Sequence, residues 1–278
     1  MRSEKLLLVA ALAGLACSAQ PAGTLLGCTS DGTLFSINLS TGAGTQIGTL
    51  NGGCTEIVIN STGTASFFQL PDGSFEIQSF NAAAGTATGS PVGDAASFTG
   101  LQYIGGTLYG TAILTSGGPS TLRTLDPVTG NSTTIGNTGI GPISGLAYNG
   151  TLYGISGGSG TAGLYTLNLT TGAATLIGST GIQAGGLAFG PDGNLYAGGT
   201  GPNAGNVYRI NPATGASTLV GATTVDDAAG VTGLALLPPN MTPTPAPGGL
   251  LLAGLGLLLM FVYFAAARGF FRRRNGMI

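Results

Sequence analysis

Asn168-Leu-Thr-Thr-Gly172 is one of five versions of a single pentapeptide, Asn/Asp-x-x-x-Gly, and its recurrence decides how the whole chain is read. The others are Asn38-Leu-Ser-Thr-Gly42, Asn81-Ala-Ala-Ala-Gly85, Asp126-Pro-Val-Thr-Gly130 and Asn211-Pro-Ala-Thr-Gly215. Successive first residues lie 43, 45, 42 and 43 positions apart. A repeat of that length built of short strands is the signature of a β-propeller, one blade per repeat.

Working outward from the pentapeptide, each repeat divides into four strands. An inner strand reads Gly100-Leu-Gln-Tyr103, Gly145-Leu-Ala-Tyr148 or Gly186-Leu-Ala-Phe189, with Thr55-Glu-Ile-Val-Ile59 as the second repeat's version. A tight turn leads to a second strand: Gly106-Thr-Leu-Tyr-Gly110, Gly150-Thr-Leu-Tyr-Gly154, Gly193-Asn-Leu-Tyr-Ala197. Asn149-Gly150 and Asp192-Gly193 are strong hairpin signals. The third strand runs into the pentapeptide and alternates with period two, Phe35/Ile37, Tyr165/Leu167 and Tyr208/Ile210 marking one face. Gln78 and Arg123 interrupt its outer apolar position, as expected of a wetter edge. The fourth strand ends in an aliphatic residue and Gly: Ile47-Gly48, Val92-Gly93, Ile135-Gly136, Ile177-Gly178, Val220-Gly221.

The repeat is permuted by one strand. Gly233-Leu-Ala-Leu-Leu237 is an inner strand with no blade after it, while Gly23-Thr-Leu-Leu-Gly27 matches a second strand with no inner strand before it. Pairing the two completes the first blade and removes an open sheet edge. The expectation is an all-β, five-bladed propeller of four-stranded blades over residues 20–238, closed by that pairing.

Composition bounds the partners. Charged residues make up 6 % of the chain, against about 25 % in ordinary soluble domains. Gly numbers 52 without a Gly-x-y period, and apolar content is 43 %, so neither collagen nor a disordered chain fits. Between Gln20 and Gly249 the cations are Arg123 and Arg209 against nine Asp and Glu, a net of −7. Such a surface neutralises few phosphates, so no nucleic acid is expected as a partner.

The two ends are hydrophobic. Arg2 and Lys5, the apolar run Leu6–Ala16 and the small residues Cys17-Ser18-Ala19 predict a signal peptide over 1–19, with Gln20 first in the mature chain. Acylation of Cys17 is the alternative. At the other end residues 239–249 form a Pro-rich stalk, stiff and extended. Leu250–Ala267 follows, 18 apolar or small residues, about 27 Å as a helix and nearly the span of a bilayer core. Arg268 and the cluster Arg272, Arg273 and Arg274 lie in the basic tail 268–278, which the positive-inside rule keeps cytoplasmic, so the repeats face outward.

This arrangement resembles the C-terminal sorting tails of exported bacterial proteins, above all the PEP-CTERM family. Pro245-Ala246-Pro247 stands where that family has Pro-Glu-Pro, and Gly248-Gly249 is similar to related tails that begin with Gly-Gly. The resemblance implies cleavage near Pro245–Gly249; the alternative is a plain permanent anchor through 250–267. It places the protein at the outer face of a bacterial membrane or at the cell surface.

The chemistry is sparse. The absence of His removes Ser-His-Asp, Cys-His and His-metal designs. Cys28 and Cys54 are the only cysteines after the signal segment. In an oxidising compartment they read as one disulfide, worth roughly 3 kcal/mol, with two separate buried thiols as the alternative. Glu56 is the one acid on an inner strand, and Asp226 and Asp227 precede the closing strand. Two or three acids converging on the channel would make a glycosidase-like site. Isolated loop charges are the plainer reading, and a sugar site also wants an aromatic platform where Trp is absent. Leu70-Pro-Asp72-Gly and Gly190-Pro-Asp192-Gly supply one carboxylate each, too few for a calcium loop. No metal or cofactor is expected.

Over about 215 residues the body resembles exported bacterial β-propeller repeat proteins carrying Leu-Tyr-Gly and Asn-Pro-x-Thr-Gly motifs. The resemblance implies a non-catalytic binding or structural module facing an extracellular polysaccharide or protein. The alternative is a carbohydrate-active hydrolase or lyase using Glu56 with Asp226 or Asp227.

Overall fold

The computed structural model describes residues 23–239, apart from 51, 62, 64, 70–75, 94–96, 115–117, 158–161 and 226–229. The expected signal peptide 1–19, the expected stalk beyond Pro239, the apolar span 250–267 and the tail 268–278 lie outside the described residues, as do Asp72, Asp94, Asp226 and Asp227. Among the described residues no helix is long and apolar enough to cross a membrane.

The strands follow the repeat. They are β1 (Thr24–Thr29), β2 (Thr33–Ile37) and β3 (Gly44–Thr49); β4 (Glu56–Ile59), β5 (Ala65–Gln69), β6 (Glu76–Asn81) and β7 (Thr86–Gly93); and β8 (Ser97–Ile104), β9 (Thr107–Ile113), β10 (Ser120–Leu125) and β11 (Ser132–Asn137). Then come β12 (Gly145–Tyr148), β13 (Leu152–Ser156), β14 (Gly163–Leu167) and β15 (Ala174–Ser179); β16 (Ala184–Phe189), β17 (Leu195–Gly199), β18 (Asn206–Ile210) and β19 (Ser217–Ala222); and finally β20 (Val231–Leu237). They form five four-stranded antiparallel sheets, each in simple meander order. The first sheet runs β20-β1-β2-β3, with Thr24 opposite Leu237, Leu26 opposite Ala235 and Cys28 opposite Gly233. The C-terminal strand therefore completes the N-terminal blade of a β-propeller.

Each pentapeptide closes in the same way. The Asn or Asp Oδ1 accepts the N–H two residues on, at 2.8–3.0 Å in all five copies. The Gly N–H donates to the first residue's carbonyl at 2.8 Å, and its φ lies between 65° and 77°. That left-handed conformation favours Gly because it lacks a Cβ.

The aliphatic residue ahead of each fourth-strand Gly has a defined purpose. Leu34 pairs with Gly48 and Phe35 with Gln46, so Ile47 has no partner and forms a β-bulge. Ile135, Ile177 and Val220 are skipped identically in β11, β15 and β19. A bulge re-aims its residue, and these four turn into the apolar clusters between blades. In the second blade Ile77 pairs with Val92 and Ser79 with Thr88, so the bulge is wider. This two-residue excess in β7 accounts for the 45-residue spacing in the repeat. It also corrects the expectation for Gln78, which is not at a wet edge. Its side chain is 7 % exposed and donates to Gly89 O at 2.7 Å across the bulge.

The core is not central. It is divided into five apolar clusters, each made by two neighbouring sheets. Leu25, Phe35, Val207 and Val231 pack between the last blade and the first, and Ile77, Phe98, Leu101 and Leu125 between the second and third. Outside these clusters the turn Gly of each blade abuts the fourth-strand Gly of the preceding one. A Cβ on Gly42, Gly85, Gly130, Gly172 or Gly215 would lie 2.5–2.8 Å from the backbone of Gly221, Gly48, Gly93, Gly136 or Gly178 respectively. The two most regular glycines of the repeat are thus two halves of one contact at every seam. The Gly42–Gly221 pair repeats it where the ring closes.

The disulfide forms as expected between Cys28 and Cys54, with Cα atoms 6.2 Å apart. Cys28 lies in β1 and Cys54 just before β4, so the bridge staples the first blade to the second rather than lying within one blade.

Candidate functional site: two cups and a glycine waist

The five inner strands β4, β8, β12, β16 and β20 surround the axis in register. Their first tier is Thr55, Thr99, Ser144, Gly185 and Thr232. The next is Glu56, Gly100, Gly145, Gly186 and Gly233. The chain then passes through Ile57 and four leucines and ends at Ile59, Tyr103, Tyr148, Phe189 and Leu236.

The second tier is a waist. A Cβ on Gly100, Gly145, Gly186 or Gly233 would lie within 3.2 Å of the neighbouring inner strand's backbone. Gly permits that approach because nothing projects from its Cα. No waist residue lines either of two axial cavities formed by the described residues. On one side a cup of about 290 Å³ is lined by Thr55, Thr99, Ser144, Thr200 and Thr232. On the other a cup of about 590 Å³ is lined by Ile57, Val58, Ile59, Tyr103, Tyr148, Phe189, Leu234 and Leu236, with Asn60, Ser61, Gln102, Pro238 and Pro239 also in its wall. The axis is two cups back to back.

Hydroxyls of the first tier latch blade to blade. Thr99 donates to Ile143 O at 2.5 Å, Ser144 to Ala184 O at 2.9 Å and Thr232 to Cys54 O at 2.6 Å. Each acceptor belongs to the residue just ahead of the next blade's first tier. Gly185 has no hydroxyl to offer. Thr55 has one, yet its Oγ1 is buried without a partner.

Thr55 precedes the only waist residue with a side chain. Glu56 is 1 % exposed. Its Oε1 accepts the N–H groups of Ile57 and Leu234, both at 3.1 Å. Its Oε2 is buried with no partner. Burial pushes the carboxyl well above the usual carboxylate range, and the two N–H bonds offset only part of that. The blade-two seam is therefore the irregular one: a carboxyl replaces hydrogen, and the adjacent latch is unmade.

Of the acids singled out from sequence, Glu56 sits at the waist, outside both cups, while Asp226 and Asp227 fall outside the described residues. Among the described residues no three Cys, Asp or Glu gather as a metal site. Asp192 is committed to its hairpin, accepting Asn194 N at 3.1 Å, Asn194 Nδ2 at 2.8 Å and the Tyr196 hydroxyl at 2.7 Å. Burial works to raise its pKa, but these bonds outweigh it and bring the carboxyl below the ordinary value. Burial and the Asp192 carboxylate push Tyr196 up to about 12. Arg123 donates to Ser132 Oγ at 2.8 Å on the outer strands, away from the axis.

Sequence reasoning missed the aromatic cup. Tyr103, Tyr148 and Phe189 occupy one register position on three successive blades, and all three are half-buried. Their signal was an aromatic residue closing three of five inner strands just before the hairpin.

No protein-family model matches the chain, and no curated protein is significantly similar to it. Among solved structures it is similar to a chain of the nidogen/laminin complex, at 14 % identity and a TM-score of 0.47 over 78 % of this chain and 86 % of that one. A gluconolactonase from Xanthomonas campestris matches at 11 % identity and a TM-score of 0.47, over 79 % and 85 %. The PQQ-bound aldose sugar dehydrogenase of Streptomyces coelicolor matches at 15 % identity and 0.44, over 72 % and 79 %.

Proposed function

We propose that the protein is an exported, surface-anchored β-propeller that binds an extracellular polysaccharide or protein without turning it over. The observation that carries this reading is the waist. The one described acid of the hydrolytic alternative is sealed in it, with one oxygen held by two backbone N–H groups and the other reaching neither cup. Acid pairs in glycosidases flank an open site where substrate and water meet both carboxyls. The cups instead offer shaped, uncharged surfaces on a rigid frame.

Export is supported by the Cys28–Cys54 bridge, since such bonds persist in oxidising compartments. The signal-like Met1–Ala19 and the PEP-CTERM-like tail, with Pro245, Pro247, Gly248, Gly249 and the Arg272–Arg274 cluster, point the same way. The chain leaves the propeller at Pro238 and Pro239, in the wall of the aromatic cup.

The test uses protein recovered from its native cell envelope. Intact mass is expected to show loss of residues 1–19, and an end either near Gly248 or at Ile278. The same material is expected to retain envelope polysaccharide or a surface protein with no release of reducing or unsaturated ends. Steady product release would replace this reading with the enzymatic one. Full-length chain in the soluble cytoplasm would remove export.

A further inference from the structure

We propose that the aromatic cup seats the free end of a neutral glycan chain. This rests on the binding-module reading above and narrows it to one cup and one ligand class.

Charge comes first. Among the described residues that line the cup there is no Asp, Glu, Lys or Arg. A ligand carrying phosphate, sulfate or carboxylate would be desolvated there without a counter-charge, which is costly. That lining favours a neutral seated group over acidic glycans, nucleotides and charged peptide side chains.

Shape comes second. Tyr103, Tyr148 and Phe189 bring three rings to one level on adjacent blades, half-buried and therefore fixed by their neighbours while still presenting surface. A pyranose ring has an apolar C–H face and a polar rim. Flat aromatic surfaces take the face. Asn60, Ser61 and Gln102 line the cup beside the two tyrosines and supply polar groups for the rim. A purely apolar guest would use the rings but offer nothing to the polar part of the lining.

Depth comes third. The volume of about 590 Å³ falls within the range of small-molecule sites and holds roughly one or two sugar rings. The waist closes its floor, where Gly100, Gly145, Gly186 and Gly233 bring the strand backbones together around Glu56. A polymer cannot thread through such a cup. It can insert a terminus.

The experiment uses the full-length protein on an array of neutral gluco-, manno-, galacto- and xylo-oligosaccharides in linear form, with cyclic glucans and uronate-containing oligosaccharides alongside. Linear neutral chains are expected to bind, with cyclic and acidic ones at background. Tyr148→Ala or Phe189→Ala is expected to weaken binding about tenfold, while Tyr148→Phe, which keeps the ring, stays within about threefold. Melting temperatures of each variant separate lost binding from lost folding, and Tyr148→Phe carries the comparison if an alanine variant fails to fold. Equal binding of cyclic glucans would overturn end-on seating. A preference for uronates, or undiminished affinity in a folded Tyr148→Ala/Phe189→Ala protein, would overturn the site. A blank array from protein that still retains an envelope partner would overturn the glycan and leave the binding module standing. Cleavage of an arrayed glycan would overturn the module itself.

Discussion

Glu56 stands where four sister strands have glycine, and the consequences are electrostatic as well as steric. A carboxyl whose folded-state pKa lies above its unfolded value holds its proton more tightly in the native state. Its contribution to stability is complete below the unfolded value near 4.5 and is lost as pH rises through the raised folded value. Asp126 has the opposite sign: backbone and side-chain hydrogen bonds from Val128 and Thr129 lower its pKa. Asp192 is lowered too, and both acids are unaltered when only Glu56 is changed. We therefore expect Glu56→Gln to flatten the decline in stability as pH rises above 4.5. Urea denaturation of both proteins across that range measures it, and parallel profiles would refute the assignment.

The pentapeptide illustrates how an element is specified twice over. Its Asn or Asp closes the turn locally, and its Gly serves both the left-handed backbone and the neighbouring blade. The two demands can be separated. Gly215 has φ 75° and faces the Gly178 carbonyl, while Gly150 has φ 76° with nothing near its Cα hydrogen. Gly150→Ala should cost about 1 kcal/mol, the penalty for a left-handed Ala. Gly215→Ala should cost about 2 kcal/mol or more, because the methyl also meets fixed backbone. Equal losses in denaturant midpoints would mean that the seam yields and the glycine contact is incidental. Gln78 makes the complementary point: its polarity marks a wide bulge to be satisfied inside the blade rather than exposure at an edge.

At the scale of the molecule, stability comes from neighbour-to-neighbour burial around a ring, and β20 completes it. A chain ending at Gly230 is expected to aggregate, because β1 becomes an open edge and the two apolar clusters on either side lose Leu234 from one and Ala235 and Leu237 from the other. A chain ending at Pro239 is the control, expected to remain soluble. Light scattering and thermal melts of the pair decide it, and equal behaviour would argue that closure contributes little. The disulfide and the Thr232 latch both act at the next seam, between the first blade and the second. Both strands of the closing pair, β1 and β20, are thus tied to the second blade.

The sequence by itself determined the repeat, the strand inventory, the one-strand permutation and the Cys28–Cys54 pair. These follow from local signals, because turn chemistry and period-two alternation act over a few residues and recur five times. Only the tertiary structure decided what the inner strands do together. Packing five backbones around one axis turned glycines at positions 100, 145, 186 and 233 into a waist, enclosed Glu56 within it and left Thr55 without its latch. It also brought Tyr103, Tyr148 and Phe189, more than 40 residues apart along the chain, to one cup. Distances across a propeller axis depend on blade number and closure, and no short stretch of sequence encodes them.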